Sequence, residues 1–306
     1  MSALGAFFCC VVIYLTLKNA KNRALRAYAF MMVGNAIVDL ILAINTLMTL
    51  PTACFGPQVV FMLVDNPIFP TAPGWTTFAV GTHLFFMFLG VAMLPLQFVY
   101  RYGVMRGQPF TPWQLLAMFS VSLMMGGIHG GLCPFTFSWP SPEWDAVLHQ
   151  SMGDPNQELP GYLAGDIHEF GIMAMHFCNV FVIMSFSYTV IILMIYLSKQ
   201  TVTLAKNDKI TKQTQAVQKQ VTRIIYFQAF YPVFVVGMPC VLFTIFVVQG
   251  KQVPYIGEWA VSTMHTPPLF NSLSVILCVP SYRKFVVHPF KTTRSDSSSS
   301  RIRSLI

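Results

Sequence analysis

Apolar residues run through this chain in long blocks separated by short polar connections, and the length of each block decides what it can be. The blocks are 2–17, 28–50, 75–100, 113–133, 171–198, 224–250 and 259–280, and the one charged residue inside any of them is Asp39. A helix needs about 20 predominantly apolar residues to cross the hydrocarbon of a bilayer. Six blocks reach that length. The first, at 16 residues, falls several short, which leaves open a marginal first helix or a truncated N-terminus. Internal prolines (Pro95, Pro232, Pro239, Pro267, Pro268) do not argue against helices here, because neighbouring helices re-satisfy the backbone groups that proline frees in a membrane. The pattern predicts an all-α membrane protein: a seven-transmembrane bundle over 1–290, then a disordered Ser-rich, basic tail over 291–306.

Composition agrees. The chain is 55% apolar and only 10% charged, where a soluble domain carries about 25% charge, so an ordinary soluble protein is excluded. An aromatic content of 14% excludes disorder. The net charge of +8 would suit either nucleic acid or an anionic membrane surface. Its distribution decides for the membrane. Connections 18–26, 101–106 and 199–223 and the segment after 280 together hold 18 of the 19 Lys and Arg, all on alternate connections and therefore on one side. The other side holds Lys251 and eight acids: Asp65, Glu143, Asp145, Asp154, Glu158, Asp166, Glu169 and Glu258. The positive-inside rule then predicts an N-terminus outside and a C-terminus in the cytosol. Trp75, Trp139, Trp144 and Trp259 at the outer ends and Trp113 at an inner end sit where interfacial aromatics collect. Asn-x-Ser/Thr sequons are absent, and so is any internal repeat of the kind transporters carry.

Polar residues within the blocks are the candidates for chemistry. Asp39 lies about 16 Å from the cytosolic end of its span, where a charge costs about 2.5–3.5 kcal/mol on insertion scales. Asn35 lies one turn away, and Asn271 lies at a similar depth in the last span. Two readings stand: a mid-membrane cluster that repacks in a conformational switch, or a structural polar network. Tyr100, Arg101 and Tyr102 close the third span; Arg101 either snorkels to the interface or docks a cytosolic partner.

Five histidines gather towards the outer side: His83, His129, His168, His176 and His265. Of these, His83, His176 and His265 lie roughly 9–12 Å below their outer span ends. They line a ligand pocket together with Phe86 and Phe243, or hydrogen-bond between helices, or sense protons; a metal site is not expected, since no His pair on one helix has i,i+4 spacing. Cys54 and Cys133 both fall outside, where a disulfide can form. Gly126/Gly130 and Gly127/Gly131 are overlapping small-xxx-small pairs, suited to close packing in the bundle or to a dimer face. The outer loop 134–169 either covers the pocket or is a solvated connection. The serines of 295–300 read as a phosphosite cluster or a linker.

Taken together these features resemble a known family. An Asp in the second span, Tyr100-Arg101-Tyr102 ending the third and Pro267-Pro268-Leu-Phe-Asn271 running into Ser281-Tyr282-Arg283 are similar to the nematode serpentine chemoreceptors of the Str superfamily. The short basic first loop leading to Asn35-Ala-Ile-Val-Asp39 fits the same pattern. The resemblance implies a G-protein-coupled chemosensory receptor of the plasma membrane, with sensory cilia as the expected location. It implies a small-molecule ligand in the outer half, a heterotrimeric G protein at Tyr100, Arg101 and Tyr102, and the bilayer as partners; no cofactor, metal, enzymatic activity or nucleic acid is expected. The chain departs from rhodopsin-like receptors in having no acid beside Arg101 and no Tyr after Asn271. The alternative functions are a transporter or ligand-gated channel and, behind them, an intramembrane enzyme; a retinal protein is disfavoured because the last span has no Lys.

Overall fold

The computed structural model describes residues 1–19, 23–108, 110–153, 158–168, 170–204, 212–249 and 256–287. The serines of 295–300 lie outside the described residues. Among the described residues, six helices are long and apolar enough to cross a membrane. The first four spans are α1 (Ser2–Asn19), α2 (Arg23–Thr49), α3 (Pro73–Met105) and α4 (Pro112–Gly131). The 16-residue first block thus forms an 18-residue helix. Past α4 come two short helices, α5 (Cys133–Thr136) and α6 (Pro142–Met152), and then the fifth span, α7 (Phe170–Leu204). The sixth span joins α8 (Lys212–Pro232) to α9 (Met238–Val248) through a π-helical turn at Val233–Gly237. A helix α12 (Pro280–Val287) ends the described chain.

The seventh block is not one helix. It breaks at His265-Thr266 into α10 (Ile256–Met264) and α11 (Pro267–Cys278). The physical cause is the Pro267-Pro268 pair, whose rings supply no backbone N–H and start a helix well while ending the preceding one.

Helix α3 sits at the centre, packed against α2, α4 and α7, and is buried on most sides. Helices α4 and α7 instead turn wide apolar faces outward, with Trp113 and Phe181 among the most exposed large side chains. That is the pattern of a bundle whose outer solvent is lipid. Helix α4 starts on a capping box, with Thr111 and Gln114 bonding each other's backbone N–H.

The sequence reading placed no strands, yet three form at the end of the bundle opposite Tyr100-Arg101-Tyr102. Strands β1 (Pro51–Gly56), β2 (Val59–Val64) and β3 (Gly161–Asp166) make an antiparallel sheet in the order β1-β2-β3. Cys54 pairs with Phe61, and Met62 with Leu163. Pro57 and Gln58 turn the β1–β2 hairpin, with Gln58 at φ 57. Alternate residues of β2 serve opposite faces. Val59, Phe61 and Leu63 pack with Leu148, Trp144 and Val147 of α6, whereas Val60 joins Phe55, Met173 and Phe243 on the bundle side. The sheet is covered on both faces, which is why β2 reads as an unbroken apolar run. Within 134–169, α6 and β3 therefore form a built roof at this end of the bundle.

Candidate functional site

The helices bring the predicted residues together in two layers. In the sheet-end layer, the histidines form pairs between spans. His83 of α3 meets His265, at the break in the seventh span, with ring centroids 5.0 Å apart and planes at 87°. His129 of α4 meets His176 of α7 at 4.9 Å and 90°, and its Nδ1 lies 3.1 Å from the Asn179 amide nitrogen. His83 is 2% exposed. Among the described residues, His83 Nδ1, His176 Nε2 and His265 Nε2 are buried with no hydrogen-bond partner. His83 and His265 thus form one pair, and His176 joins His129 in another. Phe243 packs edge-on to Phe55 of β1 at 4.9 Å, and Phe86 lies between the two central apolar clusters. His168 stands outside this layer, exposed on the roof, with Nδ1 3.0 Å from Asp166.

The second layer is polar. Asn271 Nδ2 of α11 donates to Asp39 Oδ2 of α2 at 3.0 Å, and Gln228 Nε2 of the sixth span donates to the Asn271 carbonyl at 3.3 Å. Asn35, Asp39, Gln97, Gln228 and Asn271 line a cleft that also reaches Tyr28 and Tyr100. The centre of a water-sized sphere has about 40 Å³ of free movement in it. At about 10–15 Å³ for one such sphere, that is room for a few waters, and it is far below the roughly 300 Å³ of a small-molecule site. The cleft lies in the half towards Tyr100-Arg101-Tyr102, whereas the sequence reading placed the ligand pocket in the opposite half. Gln97 and Gln228 were missed. Their signal, an amide side chain inside an apolar block, is present in the sequence but was passed over in favour of ionisable groups.

At the end of α3, Arg101 is 7% exposed. Its guanidinium turns into the bundle, towards Tyr226 of the sixth span and Tyr28 of α2. Tyr28 packs edge-on to Tyr100 at 6.4 Å, and Arg106 covers the ring of Tyr102. The snorkelling reading of Arg101 is therefore corrected: two phenols offer it partners inside, so it does not extend to the interface. Tyr226 stands where no acid is available to hold the arginine.

Other expectations resolve similarly. Cys54 and Cys133 are free thiols. Cys54 faces α6 on one side of the sheet, while Cys133 is buried in the cluster around Val80 and Leu84. The bridge is corrected because the hairpin register turns Cys54 away from the bundle. Burial also raises the Cys54 thiol, which keeps it protonated. Of the glycine pairs, Gly126 and Gly130 press against the α3 backbone at Phe85, Leu89 and Gly81, while Gly127 and Gly131 face open space. The Tyr282 hydroxyl donates to Thr16 Oγ1 at 3.1 Å, tying α12 to α1.

The fold and site can be set beside known proteins. The crystal structure of squid rhodopsin superposes with a TM-score of 0.60 at 12% identity, covering 99% of this chain and 87% of the rhodopsin chain. That likeness establishes the fold. Curated protein sequences gave no match. A family model described as serpentine type 7TM GPCR chemoreceptor Str matches residues 1–287, nearly the whole described length. A receptor bundle, rather than a transporter, channel or intramembrane enzyme, is the reading that this match supports. The chain belongs to the Str family of serpentine seven-transmembrane chemoreceptors, a multi-pass membrane receptor of the G-protein-coupled class.

Proposed function

We propose that a small molecule acts on the sheet-end layer, at His83 and His265, and that the seventh span carries its effect to a G protein at the Tyr100-Arg101-Tyr102 end. One observation carries this reading. The break at His265-Thr266 joins a histidine pair above it to the Asn271–Asp39 hydrogen bond below it. A shift of α10 against α3 therefore pulls on the polar layer through a single short element. The charge asymmetry supports the orientation, with the sheet end outside and the basic connections in the cytosol. Asn35, Asp39 and Asn271 are then the switch network, and an outward turn of the buried Arg101 is what frees its donors for the G protein.

Heterologous expression with a broad ligand panel and a second-messenger reporter tests the proposal. The Asn271–Asp39 bond contributes about 1.5–3 kcal/mol to the state that holds it, so Asn271→Ala shifts the two-state ratio by about 10–150-fold. The expected result is raised basal signalling, or a flattened dose-response, at unchanged surface level. His265→Phe is expected to remove the response while basal signalling stays. A parental dose-response in both variants, with confirmed surface delivery and guanine-nucleotide exchange intact, refutes the reading.

A further inference from the structure

Charge is divided between the two ends of the bundle. Among the described residues, every acid other than Asp39 lies at the roof end, and the one ion pair, His168–Asp166, is there too. At the opposite end, Lys18 closes α1 and α12 carries Arg283 and Lys284, all three exposed. A lysine at a helix end is ordinarily a mobile, strongly hydrated point charge on a flexible stem. Lys18 departs from this, because its head is held.

The Lys18 ammonium donates to the Tyr14 hydroxyl at 3.4 Å and lies 5.5 Å from the centre of the Tyr14 ring and 5.1 Å from that of Phe285. The two rings stand 6.2 Å apart and tilted at 52°, so they make a corner with the ammonium in it. Tyr282 sets the corner: its buried ring and its bond to Thr16 fix α12 on α1, one turn before Phe285. An ammonium has three donors, and a tyrosine hydroxyl accepts and donates. Tyr14 takes one donor from Lys18, which leaves two N–H groups and the Tyr14 O–H itself at the corner, with Lys284 the residue beside Phe285. Donors gathered around a positive charge suit a group that only accepts and is negatively charged, such as a phosphate.

Next to the corner, the outward face of α1 is a continuous apolar strip. Leu17, Tyr14, Cys10 and Phe7 recur every three or four residues, which places them on one helix face, and all four are exposed. The rise from Phe7 to Leu17 is about 15 Å, half of the roughly 30 Å of hydrocarbon in a bilayer. The strip is therefore as long as one leaflet is thick, and it ends at Lys18. A soluble anion would use the corner alone. A lipid with a charged head uses both parts at once.

We infer that the corner between α1 and α12 docks an anionic phospholipid, with its phosphate on Lys18 and Tyr14 and one acyl chain along Tyr14, Cys10 and Phe7. The proposed orientation enters only in assigning that lipid to the cytosolic leaflet, where anionic lipids gather. Bound there, the lipid bridges α12 to the first span and holds the start of the tail at the membrane surface.

The test is photolabelling of the full-length receptor in maltoside micelles with phosphatidylserine that carries a diazirine in its acyl chain. The expected result is saturable labelling between Phe7 and Leu17, competed by unlabelled phosphatidylserine and not by phosphatidylcholine. Lys18→Gln lowers the affinity by about tenfold, as loss of a charge-assisted bond does, and Tyr14→Phe by about threefold. Lys18→Arg, which keeps the charge and the donors, restores it. Arg106→Gln removes a cation of the same bundle end that lies over Tyr102 instead of at the corner, and leaves the affinity as it was. Melting temperatures equal to the parent's show that the variants are folded. Equal losses in Lys18→Gln and Arg106→Gln, labelling that does not saturate, or equal competition by phosphatidylcholine overturns the inference. So does displacement by glycerophosphoserine or by a soluble Glu-rich peptide at the same concentration, which would assign the corner to a free anion or to a protein. Labelling is read without ligand or G protein, so its failure is distinct from failure of the signalling variants above.

Discussion

Replacing either of two glycines four residues apart, or their immediate neighbours, gives a sharp test of how the bundle is held. A Cβ at Gly130 would stand 2.5 Å from the Gly81 carbonyl oxygen and 2.8 Å from Phe85 Cβ. Side-chain carbons do not approach closer than 3.0 Å, and the obstacle is backbone, so α3 and α4 must part by at least half an ångström. A gap of 0.5–1 Å forfeits about a quarter to a half of each dispersion contact across it. In lipid, packing of this kind is what holds helices together, since tails are as apolar as side chains. Overpacking of this sort costs about 1–3 kcal/mol. Gly130→Ala is therefore expected to lower the melting temperature of the purified receptor by roughly 2–4 °C per kcal/mol. At Gly127 a Cβ meets nothing within 4 Å, and Ala is favoured over Gly in a helix by about 1 kcal/mol. Gly127→Ala is expected to be neutral or slightly stabilising. Scanning fluorimetry of both variants in one detergent decides it. Equal losses at the two positions would refute the assignment of Gly126/Gly130 to the α3 contact and of Gly127/Gly131 to the lipid face.

Two further outcomes follow from the roof and the seventh span. Tyr162→Phe removes the hydroxyl that latches β3 to α6 and is expected to cost about 1.5–3 kcal/mol, the scale of a bond to a charged acceptor. Because burial and the Asp145 carboxylate raise the Tyr162 phenol, the latch is intact below the ordinary tyrosine value of about 10 and weakens as pH rises above it; hydrogen exchange in β3 should increase there in the parent and show no such step in the variant. Tyr231→Phe keeps the 3.7 Å stack on Phe270 but loses the 2.6 Å bond to Thr266 beside the break. A double-mutant cycle with Thr266→Val should give a coupling of about 0.5–1.5 kcal/mol in thermal stability, and a coupling near zero would show that the break is held by other contacts.

How much of this was legible in the chain depends on which physical signal each feature leaves. Spans leave length and apolarity, so the second to the sixth could be read directly, while the first reads short and the seventh reads as one helix; Asp39 stood out because a lone acid in an apolar block is costly. Asn271 was legible by depth, and the structure brings it to Asp39. Azimuth leaves a weaker trace. Depth alone grouped His83, His176 and His265, and only the rotation of α4 and α7 separates His176 into a pair with His129. The strand at 59–64 was readable in principle, as six apolar residues, half of them β-branched, after a Pro57-Gln58 turn. Its partner β3 was not, because Gly161-Tyr-Leu-Ala-Gly-Asp carries no strong strand signal and its pairing spans a long stretch of chain. The break at 265–266 was hidden by the correct argument that membrane helices tolerate proline; two in succession, preceded by Thr266, start a new helix instead.

That long-range pairing has a consequence in time. Val64 and Gly161, partners in the sheet, are separated by the whole of the third and fourth spans. At about 5–20 residues per second of synthesis, the finished β1–β2 hairpin waits several seconds before its third strand exists. The sheet can therefore close only after α3 and α4 have been made, and the seventh span, with Gly257 seated on Ala53, docks last of all. Biogenesis of this receptor runs towards its roof, and a chain stalled before residue 161 would leave an open hairpin edge ready to pair with another chain.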